Sequence, residues 1–215
     1  MSCYNTCFFE RYAHETLKRC LGHEYDDLVN RDRPDLQSSD GFSFGIEVTR
    51  AMEESRSAAE ELLDDMSGLT EMATDLGDME QFILNGYGYG LNVGRNISAS
   101  ESLYWSMAQP MKRILESKVS KIIGGFYGTF KKNGLYVFSK DDLSEADVLG
   151  ACHLVMEMQA LQEQKYDLLY LSEVSVLHVC NLRDDISEVF RVSSHPIDLE
   201  MRRQIYYSSF AKSGK

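Results

Sequence analysis

Basic residues are what this chain has too few of: 22 lysines and arginines stand against 34 aspartates and glutamates, for a net charge of −12. A protein that simply coats nucleic acid carries a basic face, so that class is excluded, although a local basic patch is not. Cysteine is sparse as well. Cys3, Cys7, Cys20, Cys152 and Cys180 are odd in number and form no C-x-x-C, which argues against zinc or dithiol redox work and for reduced thiols. No run of eighteen uncharged apolar residues occurs, and residues 1–11 lack the apolar core of a signal peptide, so a cytoplasmic location with no membrane partner is expected. Three prolines, no internal repeat and no low-complexity linker leave an ordinary globular composition.

What is present is enough apolar material for one core. With 43% hydrophobic residues over 215 positions, a single domain spanning 1–215 is expected. Its organising stretch is 33–49, RPDLQSSDGFSFGIEVT. From Phe42 the residues alternate, which predicts Phe42, Phe44, Ile46 and Val48 on one strand face and Ser43, Gly45, Glu47 and Thr49 on the other. Asp40-Gly41 is a turn signal, and folding back there brings Asp35 to within about one residue of the position opposite Glu47. Two carboxylates then face each other with side-chain roots only about 5 Å apart, which is repulsive unless something positive sits between them. A hard divalent cation bound through oxygen relieves that repulsion.

Pro34-Asp35, eleven intervening residues and Glu47-Val48-Thr49 resemble the PD-(D/E)XK signature of the restriction-endonuclease-like nuclease superfamily, with Thr49 where that family usually has lysine. Glu10, Ala13, Leu17 and Gly22 are similar to the E-x-x-A-x-x-x-L-x-x-x-x-G arrangement that opens many of its domains, where the glutamate points at the metal site. The resemblance implies an α/β fold with a restriction-endonuclease-like core, a mixed central sheet flanked by helices. It also implies that Asp35, Glu47, the main-chain carbonyl of Val48 and Glu10 hold one or two Mg²⁺ (or Mn²⁺) ions. The family's lysine helps orient or activate the attacking water, so its loss needs a substitute. Lys118, Lys121 and Gln37 are candidates, and Arg50 is a less well aimed one. Read as local structure alone, Thr49 serves equally well as the N-cap of a following helix, and Glu10 as a first-turn glutamate favoured by the helix dipole.

Along the chain, apolar spacing predicts a helix over 8–21 ended by Gly22, with His14 at the surface and Glu15 the weaker site candidate beside Glu10. Strands follow at 24–30 and 33–37 and after the turn, then a helix over 50–66, which completes a core motif region at 8–67. Ten acids and one arginine between positions 53 and 80 describe a solvated helical face or, more sharply, a surface for a protein partner. A helical and glycine-rich insertion occupies about 68–98, where Tyr87 and Tyr89 are placed to stack on bases if that loop borders the site.

The remainder, 99–215, opens with a Ser98/Glu101 capping box and a helix to about 123 that Pro110 kinks or splits. Its second half begins the chain's basic element: Lys112, Arg113, Lys118, Lys121, Lys131 and Lys132 oppose only Glu116 between positions 110 and 134. A strand at 135–138, a helix at 145–163 and a strand at 166–171 come next. A C-terminal β-hairpin of 174–182 with 186–192, holding a hydrogen-bonded core His178, precedes a last helix that starts at Ser194 or His195 before Pro196.

These features support a metal-dependent nuclease acting on nucleic acid, DNA ahead of RNA, in which Lys118 and Lys121 meet phosphate or transition-state charge. Two other readings stay open. One is a nuclease-fold binding or regulatory module that lost its chemistry with the motif lysine, and the other is an unrelated α/β protein with an incidental match.

Overall fold

The computed structural model describes residues 8–51, 62, 65–67, 110–140, 142–183, 185–187 and 191–210. In chain order these form α1 (Phe8–Leu21), a 3₁₀ turn (His23–Tyr25), β1 (Leu28–Asn30), β2 (Leu36–Ser38), β3 (Phe44–Ala51) and α2 (Pro110–Ile123). After these come β4 (Lys132–Ser139), α3 (Glu145–Met158), β5 (Leu168–Ser172), β6 (Val176–Asn181), β7 (Val192–Pro196) and α4 (Leu199–Phe210). The acidic run at 53–80, apart from residues 62 and 65–67, the glycine-rich stretch with Tyr87 and Tyr89, and the Ser98 cap lie outside the described residues.

The strands join one mixed sheet in sequence order, β1 to β7. Pairing is antiparallel from β1 to β3, parallel from β3 to β5, and antiparallel again to β7. Each parallel step needs a crossover. α2 and α3, which lie in those two connections, both cover the same face, as right-handed crossovers in a sheet growing in one direction require. There Leu115, Val119, Leu135, Val137, Val155 and Leu169 are buried together. α1 and α4 cover the other face, where Tyr12, Ile46, Tyr136, Phe138, Tyr170 and Ile205 form the second core. The architecture is therefore α/β, a seven-stranded mixed sheet between two helical layers. Among the described residues no helix is long and apolar enough to cross a membrane.

Local chemistry sets the element ends. Gly22, at φ 93°, ends α1 and returns its N–H to Lys18. Ser144 and Asp147 form a reciprocal capping box on α3.

Several predicted spans shift. The stretch 24–30 divides into the 3₁₀ turn and a three-residue β1, and β2 begins at Leu36 because the preceding residues make the turn around Pro34. Phe42 belongs to the hairpin turn and is 51% exposed, outside the apolar alternation that Phe44 and Ile46 do follow. β3 continues through Thr49 and Arg50 to Ala51, all eight residues pairing with β4, so Thr49 caps no helix. α3 stops at Met158, where Gln159 turns inward to hold Tyr166 by two hydrogen bonds of 2.7 and 2.9 Å. The last strand is Val192–Pro196, which absorbs Ser194 and His195, and Asp198 caps α4 through the Met201 N–H.

One close approach fixes the hairpin against the α2 connection. A Cβ on Gly45 would lie 2.8 Å from Pro34 Cγ and 2.9 Å from the Phe130 ring. Gly45→Ala is expected to destabilise the fold by about 1–3 kcal/mol, through displacement of the turn that carries Asp35. Urea unfolding of the variant at wild-type stability would show that the contact yields freely.

Candidate functional site

The β2–β3 register, Leu36 opposite Ile46, extends by one residue to put Asp35 opposite Glu47. Ile46 lies in the α1 core, so strand alternation turns Glu47 to the opposite face, beneath α2. From α2, Lys118 reaches across 71 residues of sequence and places its Nζ 2.6 Å from Glu47 Oε1, with both side chains almost covered. Asp35 does not lie loose: its Oδ2 accepts the Val48 N–H at 2.8 Å. Three elements thus deliver two carboxylates and one ammonium to one small volume.

The electrostatics are those of a crowded anion site. Burial, followed by the charge of Glu47, pushes the Asp35 carboxyl from 3.8 up to about 8, Glu10 adds to the rise, and the Val48 N–H and Lys118 oppose it. Two phenols complete the wall. Tyr127 is buried with its hydroxyl beside Glu47 and Tyr166, and its pKa is raised by burial and next by Glu47. Tyr166 donates to the Lys118 carbonyl at 3.4 Å and is likewise held protonated by burial. Neither tyrosine stands out in sequence. The only hint was the Gly124-Gly125-Phe126-Tyr127-Gly128 string directly after α2.

The other candidates divide. Glu10 accepts from Asn30 at 3.1 Å and still acts on Asp35 through space, which fits the sheet-edge position expected of it. Gln37 donates to the carbonyls of Pro34 and Asp32 at 3.0 and 3.3 Å, so it supports the turn beneath Asp35 rather than replacing a lysine. Lys121, one helical turn beyond Lys118, lies over the Phe126 ring, 5.4 Å from its centre. Arg50 alternates to the α1 face and stacks on Phe9 at 4.5 Å. Thr49 follows Glu47 by two residues on the same face.

His14 is a correction: it is buried, with Nε2 2.8 Å from the Tyr25 carbonyl. His178 is hydrogen-bonded as expected, to Ser194 and Glu173 at 2.8 Å each.

Among the described residues no group of three or more His, Cys, Asp or Glu side chains is drawn together closely enough to hold a metal ion. The donors at the pair are nonetheless all oxygen, the chemistry that suits Mg²⁺ or Mn²⁺. Mg²⁺ in particular is commonly held by one or two carboxylates, with phosphate oxygens and waters filling the remaining positions. Comparison with protein-family models, with curated proteins and with solved structures returns no match for this chain.

A raised acid has a definite pH signature. Between 3.8 and about 8 folded Asp35 keeps a proton that the unfolded chain has released, so its contribution to stability is complete below that window and is lost as pH rises through about 8. Urea unfolding from about pH 5 to about pH 9 should show this loss, and Asp35→Asn, which cannot ionise, should flatten the profile. Identical profiles for the two proteins would remove Asp35 as the cause.

Proposed function

We propose that the chain is a metal-dependent phosphodiesterase acting on nucleic acid, with a restriction-endonuclease-like core formed by the α1–β1–β2–β3–α2–β4 segment. The observation that carries this reading is the Lys118 Nζ at 2.6 Å from Glu47, on the carboxylate facing Asp35. It restores to the site the positive charge that Thr49 cannot supply. The order of α1, β1, β2 and β3, a helix followed by three strands as the sequence resemblance implied, also supports it.

Asp35, Glu47 and the Val48 carbonyl would hold the cation, with Glu10 adding negative charge at the edge. A bound Mg²⁺ or Mn²⁺ polarises a phosphate and lowers the pKa of water. The Val48 N–H orients Asp35, and a cation bound there would take the place of its proton as the relief of charge crowding. Lys118, paired with Glu47, would meet phosphate oxygens as negative charge develops on them. The buried walls of Tyr127 and Tyr166 limit water around the pair.

The same ion pair favours a second reading. Lys118 already neutralises Glu47, so the site can persist without metal as the core of a nucleic-acid-binding or regulatory module.

Calorimetric titration with Mn²⁺ separates the two. Wild-type binding that is lost in Asp35→Ala and Glu47→Ala supports the phosphodiesterase, and a wild type that binds no Mn²⁺ sinks it. In the active protein, Lys118→Ala is expected to lower kcat by about 10²–10³ with Mn²⁺ affinity retained, as removal of a single charge-stabilising group does.

A further inference from the structure

Directly beside the carboxylate pair lie side chains that hydrolysis does not need. Among the described residues the exposed aromatic side chains are Phe42, Phe126 and Tyr207, and the first two belong to one edge of the molecule. Phe126 is 46% exposed, with the Arg33 guanidinium 4.8 Å and the Lys121 ammonium 5.4 Å from its ring centre. Phe42 has the Lys131 ammonium 4.7 Å from its ring centre. The two rings are tied together by backbone, since the loop that carries Phe126 runs on to Lys131, whose N–H bonds the Phe42 carbonyl at 3.0 Å.

This edge is built, not frayed. α2 closes in a Schellman motif: Phe126 N–H bonds the Lys121 carbonyl, Gly125 N–H bonds the Ile122 carbonyl, and Gly125 takes the left-handed φ of 71°. In that motif the residue in the place of Phe126 normally packs on an apolar partner one turn back. Here the partner is Lys121, so the ring is held in place yet covered by cations instead of core. Arg33, on the other side, sits in the left-handed region at φ 61°, a conformation that a non-glycine residue adopts only when the surroundings impose it. Arg33 is two residues before Asp35, and Lys121 is three after Lys118. The two segments that supply the carboxylate and the ammonium thus also supply the cations flanking Phe126.

The charge is the reverse of the chain's overall balance. Arg33, Lys121 and Lys131 gather here on a protein of net charge −12. The acids in contact are already engaged: Asp32 lies 3.4 Å from Arg33, and Asp40 accepts four bonds from Ser38, Phe42 and Ser43 within the turn. Solvent-facing rings interleaved with cations match a ligand that offers planar, unpaired π-faces joined by phosphates. A duplex hides those faces in its own stack, whereas a single strand presents them.

We propose that this edge is the track for single-stranded nucleic acid, with unpaired bases stacked on Phe126 and Phe42, flanking phosphates on Arg33, Lys121 and Lys131, and the strand led past Tyr127 to Asp35 and Glu47. The track rests on the phosphodiesterase reading only for what lies at its end. A base that stacks displaces a cation from the ring face, and the freed cation turns to the adjoining phosphate.

The test is fluorescence anisotropy with a labelled oligonucleotide of about 12 nucleotides, single-stranded and as its duplex, in EDTA so that no strand is cut. The single strand should bind the full-length protein more tightly than the duplex. Phe126→Ala and Phe42→Ala should each weaken single-strand binding about 5- to 100-fold with the same urea midpoint, and Phe126→Trp should keep or tighten it. Equal affinity for the two forms, wild-type affinity in both alanine variants, or no binding at all overturns the track. Single-strand binding that depends on Phe126 in a protein that neither binds Mn²⁺ nor cleaves leaves the track standing and removes the phosphodiesterase. Mn²⁺-dependent cleavage of duplex with Phe126→Ala unimpaired does the opposite.

Discussion

Two carboxylates on facing strand positions repel each other, and burial makes the repulsion worse because water no longer screens it. Asp35 and Glu47 are in that position, and the surrounding structure can be understood as the set of devices that keeps them there. The Val48 N–H holds one, Lys118 holds the other, and Asp35 keeps its proton well above the ordinary carboxylate range. None of these could act if the hairpin slipped by one residue, because a slip would turn Glu47 into the α1 core. Ile46, fully buried on the opposite face, and Gly45, pressed against Pro34 and Phe130, fix that register. Packing and charge are thus two sides of one constraint: the core sets the strand alignment, and the alignment creates the charge problem that the site resolves.

The molecule resolves it with a residue from a different element from the one the sequence motif would use. A lysine two places after Glu47 would arrive on the same strand and be fixed by β3 itself. Lys118 arrives from a helix on the crossover, so its position depends on how α2 lies on the sheet, through Leu115, Val119 and Ile122. The cation belongs to a tertiary contact, and the site is complete only when the α2 layer is docked.

That dependence explains what could be read from the amino-acid order. The pairing of Asp35 with Glu47 was legible because both its causes are local: strict alternation after Phe42 and a turn at Asp40-Gly41. The end of the first helix was legible, since Phe9, Ala13, Leu17, Cys20 and Leu21 repeat with helical period and Gly22 ends them. Lys118 could be named as a candidate but not separated from Lys121, which differs by one turn and belongs to a different surface. The β3 end was misjudged because Thr49-Arg50-Ala51 suits a helix start in isolation, whereas parallel pairing with Val137, Phe138 and Ser139 draws it into the sheet. Tyr127 and Tyr166 were invisible for a similar reason: a tyrosine shows nothing in sequence of which carboxylate it will end beside.

The strand order has a consequence for how such a chain can be made. Since β1 to β7 are neighbours in the order in which they are translated, no strand has to wait for a later one to be inserted between it and its partner. The sheet can grow at a single edge as the polypeptide leaves the ribosome, and everything from Asp35 to Lys118 is present before β5 exists. What comes last is a clasp: α4 returns to α1, where Arg11 bonds the Ser209 carbonyl at 2.6 Å and Arg19 bonds Gln204 and Ser208. A nascent chain would therefore hold the Asp35–Glu47 strand pairing before its ends are joined, whereas the core that seats α2 over the pair, with Leu169 and Leu171 in it, comes only with β5.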